Sequence, residues 1–441
     1  MIRVKPSSLV VVVRTKNNKN SWTALLGSLE TRPSLKNLAL EVWDHHPGRG
    51  WSVFRGSDAP WPDVDRPELV VGCLSFCTPE VLEVPRLVAQ FRSKLLHSRA
   101  RRGGRVALVV GGPHVTGRPP DVPRVGADYG VSGEGEVAFP RLLEALTSGR
   151  DPLGAQVPGL VAPAGDRGAV VVAPPGEPLD LNLAPAFCRK FVWHSPVEVS
   201  RGCFWRCAFC QTGFARGRMR HRDVDNVVEA FGWWGRRGYP HARFLSPDAF
   251  RYGARGPREL RPDKVQFLLT SVKSAPGITR VFFGSFPSEV RPDSVTASML
   301  EAVHGRVDNW KVSLGLQVAD DAFLRRLGRG HSVAQFWRAF DLLRDWGFTP
   351  VVDFIFGLPG ETERVRRANL EALKAIRGTG ALVRAHAFVP LPGTPLERAP
   401  PGRVDDETKR VLNRLLRRQV RGDWREQERV AWRIHEWLTA G

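Results

Sequence analysis

Short apolar runs alternating with helical stretches recur along this chain in two series, and that rhythm limits the possible folds more than any other feature. The first series holds "SLVVVVR" (8–14), "LALEVWD" (38–44), "ELVVGCLSF" (68–76) and "RVALVVGG" (105–112). "WTALLGSLE" and the stretch from Pro79 to about His97 read as helices between them. "ADYGVSGEGEVAFPRLLEAL" adds a short fifth strand, a glycine-rich turn and another helix. Short apolar runs spaced by helices imply a parallel, doubly wound sheet. Residues 1–150 are therefore expected to form an α/β, Rossmann-like domain. Ligands on such sheets sit beyond the carboxyl ends of the strands. Here those ends carry "TKNN", "DHHPG", "SFCTP", "GGPH" and "SGEGE".

The second series begins at residue 196. Its strands are "PVEVSRG" (196–202), "ARFLSPD" (242–248), "TRVFFGSF" (279–286), "WKVSLGLQV" (310–318), "PVVDFIFGLP" (350–359) and "VRAHAFVPLP" (383–392). Helical stretches separate them, the longest broken near Gly328–Gly330. Six βα units with parallel strands predict a partial, TIM-like (β/α)6 barrel over 191–400, with its site at the carboxyl ends. Residues 151–190, rich in Pro, Gly and Ala, read as a linker that partly folds. Residues 401–441 read as a C-terminal helical extension. With 441 residues and 42% apolar side chains, the chain is too long for one ordinary core and has ample material for two. The first apolar run is too short for a signal peptide with its flanks, and no stretch approaches a membrane span. The expectation is a soluble, cytoplasmic protein with no membrane partner.

Half of the six cysteines fall in "SRGCFWRCAFCQTG" (200–213), just after the first strand of the second series. In a reducing compartment, Cys203, Cys207 and Cys210 so close together point to metal or redox chemistry. A structural zinc site wants four ligands, and His194 or His221 could complete one. Inert buried thiols are another reading. The third is an iron–sulfur cluster bound by three cysteines. A cubane usually takes one cysteine per iron, so three leave one iron open to a ligand. On that reading the missing fourth cysteine is the functional feature.

This motif resembles the signature of the radical SAM superfamily, C-x3-C-x-(aromatic)-C, with Phe209 as the aromatic residue. The resemblance extends over the six-unit barrel of about 200 residues. It implies a [4Fe-4S] cluster on the three cysteines, chelated at its open iron by the amino and carboxylate groups of S-adenosylmethionine. Reduction then yields a 5′-deoxyadenosyl radical, so an external electron donor such as flavodoxin or ferredoxin is implied. The family usually reads Gly-Gly-Glu at the end of the second strand. This chain departs with "LSPDAF", so Ser246 and Asp248 stand there, Asp248 against the methionyl amine. Gln317 in "SLGLQ" matches a ribose or carboxylate contact, and Gly357 in "FIFGLPGET" matches the strand lining the adenine pocket. The same glycine also suits an ordinary turn before a helix.

"VVGGPHVTG" (109–117) and "YGVSGEGEVAFPRLLEAL" (129–146) resemble strand ends of cobalamin-binding domains fused to radical SAM barrels. With "FFGSFPSEVRP", the chain is similar to one cobalamin-binding/radical SAM family of unassigned substrate. The resemblance places Gly111, Gly112, His114, Gly133, Glu134 and Gly135 against cobalamin, since glycines let a backbone approach a large planar ligand. "DHHPGRG" (44–50) is rejected as the box whose His ligates cobalt. Asp44 and His46 fit, but position 49 is Arg, and the box belongs after the first strand. Cys73 and Cys77 read as core or turn residues.

The reading is a radical SAM enzyme that uses cobalamin to methylate an unactivated carbon of an unknown small molecule, with no acid/base dyad needed. Rivals are a cobalamin-assisted rearrangement, a radical SAM enzyme that modifies RNA, and a non-catalytic cobalamin sensor or carrier. The RNA reading draws on the net charge of +20. The dense basic runs are "RSKLLHSRARRGGR" (92–105) and the face carrying Arg417, Arg421, Arg425, Arg429 and Arg433. Acidic residues lie beside the second run, so it reads as a solvated helix face.

Overall fold

The computed structural model describes residues 8–440 except 37, 55, 57–66, 101, 165–168 and 416–418. Arg101 and Arg417 of the two basic runs therefore lie outside the described residues. The chain divides into two compact units, Met1–Ser195 and Pro196–Gly441.

In the first unit β1 (Ser8–Arg14), β2 (Ala39–His46), β3 (Gly50–Val53), β4 (Leu69–Ser75), β5 (Arg105–Gly111), β6 (Tyr129–Val131), β7 (Leu160–Pro163) and β8 (Val170–Val172) form one sheet. The order is β3-β2-β1-β4-β5-β6-β7-β8. Strands β2, β1, β4, β5 and β6 are parallel, so the order reverses between β1 and β4, as in doubly wound folds. Val10, Val12, Val42, Val71 and Cys73 on these strands pack with Trp22 and Leu26 of the helix Lys19–Glu30 and with Phe139 and Leu142 of the helix Gly135–Thr147. The edges were not legible. After His46 the chain turns back at once, and β3 pairs antiparallel with β2.

Residues 151–190 are not a separable linker. β7 and β8 extend the sheet antiparallel, and Phe187, Cys188, Phe191 and Trp193 are buried in this unit. Glu30 fixes the segment by accepting from the backbone N–H groups of Arg189 and Lys190. Its Pro and Gly content hid how much apolar area it buries.

The second unit holds the predicted parallel strands in shorter form. β9 (Val197–Glu198) pairs with β12 (His241–Leu245), and β12 with β13 (Arg280–Phe282). β10 (Ser200–Arg201) and β11 (Arg220–His221) form a small antiparallel pair outside that series. β14 (Lys311–Gln317), β15 (Thr349–Phe356) and β16 (Leu382–Ala387) pair in parallel. The two groups meet where Val290 bridges Leu314, because the third strand breaks after Phe282 and resumes beyond the Gly284–Pro287 turn. This is a six-strand partial barrel. The C-terminal segment is more than an appendage. β17 (Val420–Arg421) adds to β16 in parallel, and the helix Trp424–Thr439 packs against that strand.

Candidate active site

The cysteine loop is pinched at its base and seated by backbone contacts. β10 and β11 bring its ends together, and the Cys203 N–H donates to the Gly217 carbonyl at 3.0 Å. Gly202 lies at φ +83°, and a Cβ there would come within 2.4 Å of the Arg218 carbonyl oxygen, so only glycine fits. The Ala208 N–H donates to the Leu327 carbonyl and the Cys210 N–H to the Cys207 carbonyl, both at 2.9 Å. Trp205 wedges the loop against the turn after the helix Asp321–Arg326. A Cβ at Gly330 would overlap its ring at 2.0 Å. Phe209 packs beneath, against Leu324, Leu327 and Phe388.

All three thiols are free, and Cys203 and Cys210 each lie close enough to Cys207 to feel its charge. Burial pushes the Cys203 thiol up to about 11, against a backbone N–H and the Arg291 guanidinium, which pull it down. Burial likewise raises Cys210. Loading a metal on these sulfurs must therefore displace protons. Among the described residues no three His, Cys, Asp or Glu side chains gather around one point as a single-ion site requires. His221 is no fourth ligand, since its Nδ1 meets Ser200 Oγ and its Nε2 the Ala254 carbonyl, each at 2.9 Å.

Two arginines that the sequence did not single out back the loop. Arg329 is 8% exposed, donates from Nη1 to Cys207 Sγ at 3.7 Å and from Nη2 to the Gly315 carbonyl at 2.8 Å. A Cβ at Gly315 would sit 2.6 Å from that nitrogen, so the glycine on β14 is the space Arg329 occupies. Arg291 is 3% exposed, stacks 4.5 Å over Trp205 and donates to the Arg329 carbonyl. Among the described residues Arg291 Nη1 and Arg329 Nε have no hydrogen-bond partner, and neither do Ser246 Oγ and Trp205 Nε1. Buried polar atoms left open in such number mark a ligand's place. Guanidiniums suit a thiolate-ligated, anionic group. The donor set and its surroundings fit an iron–sulfur cluster with a polar ligand beside it.

The other predicted barrel residues divide. Ser246 is buried with its hydroxyl open. Asp248 is wholly buried, and its Oδ2 has no hydrogen-bond partner among the described residues. Its Oδ1 accepts from Ser294 Oγ at 2.9 Å, and Arg251 Nε lies 3.0 Å from Oδ2. Burial raises its pKa to about 6, against the pull of Arg251. Gln317 ends β14 at φ +72°, a left-handed conformation that costs a side-chain-bearing residue energy. The carbonyl of Gly357, at φ +71°, accepts from the Gly402 N–H at 2.8 Å, and a Cβ would meet the Gly402 carbonyl oxygen at 2.6 Å. Packing therefore requires that glycine.

In the first unit Gly111, Gly112, Gly133, Glu134 and Gly135 come together as half-buried positions at the carboxyl ends of β5 and β6. Thr116 stitches the two ends, accepting from the Gly133 N–H at 3.1 Å. Gly133, at φ +92°, has nothing nearer to a Cβ than Pro175 at 3.8 Å, so this turn is open. A large ligand could lie along that backbone. His114 is drawn away from it. Its ring has no exposed surface, with Nε2 2.9 Å from Asp121, Nδ1 3.2 Å from Thr78, and Phe76 stacked alongside. It presents no edge to a ligand. Gly135 meets Leu25 at 2.6 Å, a packing reason for that glycine. His46 is exposed on the β2–β3 turn, and Asp44 is bound to Arg14 at 2.6 and 2.8 Å. β2 lies three strands from β5, roughly 14 Å at ordinary strand spacing. A cavity of about 570 Å³ opens at the opposite, amino ends of β4 to β6.

A doubly wound unit followed by a parallel partial barrel, with three cysteines after the barrel's first strand, is the architecture of radical SAM proteins with an N-terminal sheet domain. Residues 197–373 match the radical SAM superfamily, and that stretch of the chain is a radical SAM domain. The fold is shared with the radical S-adenosylmethionine methyltransferase TsrM from Kitasatospora setae, solved with cobalamin and a [4Fe-4S] cluster. The TM-score is 0.62 at 19% identity, covering 88% of this chain and 77% of TsrM. It is shared equally with the cobalamin-dependent radical enzyme OxsB, at TM-score 0.62 and 16% identity over 92% of this chain and 55% of OxsB. By sequence the chain is 27% identical, over 249 residues, to a threonylcarbamoyladenosine tRNA methylthiotransferase MtaB of Thermotoga maritima, covering 56% of this chain and 55% of that protein. It spans about half the length of most of the curated relatives it matches. No helix among the described residues is long and apolar enough to cross a membrane.

Proposed function

We propose that this protein is a cobalamin-dependent radical SAM enzyme that methylates an unactivated carbon of a small molecule. The observation that carries the reading is the three-thiol loop after β10, backed by Arg329, which donates to Cys207 Sγ, and by Arg291. When bound, the cluster and S-adenosylmethionine supply a radical able to take hydrogen from carbon, and cobalamin supplies the methyl group. Cys203, Cys207 and Cys210 hold the cluster. Arg329 donates to Cys207 Sγ, and Arg291 fixes the turn that presents Arg329. Ser246 Oγ and the strained Gln317 are placed to hold polar groups of S-adenosylmethionine. Asp248 acts one step back, ordering Ser294 and Arg251 rather than touching the methionyl amine. The Gly111–Gly112 and Gly133–Gly135 turns would receive cobalamin along their backbone. An external reductant is required.

Anaerobic reconstitution should load about four irons per chain, and the loaded protein should cleave S-adenosylmethionine under a low-potential reductant. Purified protein should take up hydroxocobalamin. A protein that neither copurifies with cobalamin nor binds it would end the methyl-transfer reading and leave the radical SAM reading standing.

A second reading, modification of RNA, is favoured by the tRNA-modifying relatives and the charge of +20. It requires RNA binding that weakens steeply with salt.

A further inference from the structure

The barrel lumen carries a charge group that the cofactor reading leaves unused. Along β14, β15 and β16 the register sets Gly315 beside Asp353 and Asp353 beside Arg384, all on the lumen side. Asp353 is 2% exposed, and both its oxygens are taken by Arg384, through Nε and through Nη2 at 2.7 Å. His386, one layer toward the strand ends, directs Nε2 at the same carboxylate from 3.9 Å. Its tautomer is set from the C-terminal helix. Gln427 accepts from the Ala387 N–H at 2.9 Å, so its amide nitrogen is the group 3.3 Å from His386 Nδ1. The proton of neutral His386 is therefore on Nε2, facing Asp353. Arg384 donates to both oxygens of Asp353, and His386 Nε2 faces the same carboxylate.

Glu289 lies where the third strand resumes, its backbone joined to Ser246 and Ala249. Its compensation is incomplete. Oε1 meets Arg384 Nη2 at 3.3 Å, a nitrogen already shared with Asp353, and among the described residues no hydrogen bond reaches Oε2. The side chain is 46% exposed. The other nearby cation, Arg329, is bound to Cys207 and the Gly315 carbonyl. Two carboxylates thus share one guanidinium, and the more open of the two keeps an oxygen for another donor. Beside it stands Phe286, 68% exposed, its ring 5.4 Å from the Arg384 guanidinium carbon. An open carboxylate next to an exposed aromatic ring recognises a cation on an apolar body.

We propose that Glu289 and Phe286 form a binding site for a basic amine of the substrate, which places organic amines as the substrate class of the reaction above. A bound ammonium would offset the negative charge that Glu289 and Asp353 place around the one Arg384 guanidinium. The proposal rests on the radical SAM reading only for the assignment of this lumen to substrate.

The test uses iron-loaded, full-length protein at neutral pH and ligand-detected saturation-transfer NMR. The probes are phenethylammonium, its neutral isostere 2-phenylethanol and the anion phenylacetate. Phenethylammonium should bind at least about tenfold more tightly than either, a difference of about 1.4 kcal/mol. Glu289→Gln should erase that preference with iron content unchanged. Phe286→Ala, at an exposed position that should not impair folding, should weaken phenethylammonium by a similar factor, and it decides the matter if the Gln variant fails to load. Equal binding of the three probes, no binding, or an amine preference that survives both substitutions overturns the proposal. Failure of the wild type to load iron defeats the cluster reading first, and the substrate assignment with it.

Discussion

The carboxyl ends of the two sheets treat their polar groups in opposite ways. In the first unit several are satisfied internally, although Asn20 Oδ1, beyond β1, has no hydrogen-bond partner among the described residues. Asn18 ties the ends of β1 and β4, donating to the Val13 carbonyl at 3.0 Å and the Ser75 carbonyl at 2.8 Å. His114 is held by Asp121 and Thr78, and the Glu134 carboxylate accepts from the Leu179 N–H at 2.9 Å. In the second unit Ser246, Arg291, Arg329 and Trp205 keep buried polar atoms without partners among the described residues around the cysteine loop. A buried polar atom without a partner costs roughly 1–3 kcal/mol. The first end can receive a ligand on its open glycine backbone without reorganising. The second is arranged for a ligand that completes it.

The largest expected effect tests that contrast directly. Replacing Cys203, Cys207 and Cys210 by Ala should abolish iron binding and S-adenosylmethionine cleavage. Cys73, 1% exposed with its thiol pushed far up by burial, and Cys77 should be replaceable by Ser with iron content kept. Iron assays and product chromatography read both. Stoichiometric zinc without iron in native protein would break the comparison outright.

Gly315→Ala probes the arginine behind the loop. Its Cβ would press on Arg329, and overpacking of this kind costs about 1–3 kcal/mol. Iron retention should fall along with the denaturation midpoint. A variant with wild-type stability and full iron would show that Arg329 is dispensable.

At the first unit's sheet end, two glycines should behave differently. Gly112→Ala puts a Cβ 2.6 Å from the Phe76 carbonyl oxygen at φ +102°, so folding should suffer. Gly133→Ala meets open space, and its cost of about 1 kcal/mol comes from backbone strain alone. Its cobalamin uptake should fall more than its stability does. The bound cobalamin spectrum should be the same in His46→Ala as in wild type.

A smaller effect is pH-dependent. Burial raises Glu361 from about 4.5 to about 7, opposed by the Gly357 N–H that it accepts at 2.9 Å. The fold therefore favours the neutral acid. That contribution to stability is full below about 4.5 and is lost as the pH rises through about 7. Glu361→Gln keeps the acceptor oxygen and should flatten stability against pH from 5 to 8. An unchanged slope would remove this group from the account. Least of all should come from reversing Arg421, Arg425 and Arg429 to Glu. Arg429 already pairs with Glu426 at 2.6 Å on an exposed surface. Stability should move by less than about 0.5 kcal/mol, with S-adenosylmethionine cleavage unchanged. Loss of that cleavage with folding intact would point to an anionic partner.

Local pattern along the chain carries part of this structure. "SLVVVVR" became β1 residue for residue, and the alternation of strands and helices specified both parallel sheets. The three cysteines fall in one loop after one strand, as their spacing requires. Tertiary structure decided the rest. Whether residues 151–190 join the sheet depended on partners as distant as Glu30. Arg329 reaches Cys207 across 122 positions, into a gap left by Gly315, and neither residue signals the other in the sequence. His114 looked like a ligand contact beside two glycines and turned inward to Asp121. Asp353, Arg384 and Glu289 meet only because strand register sets β15 against β16 and the third strand breaks and resumes beside them. Periodicity is a property of neighbours along the chain, whereas charge pairing and space in a lumen are properties of neighbours across it.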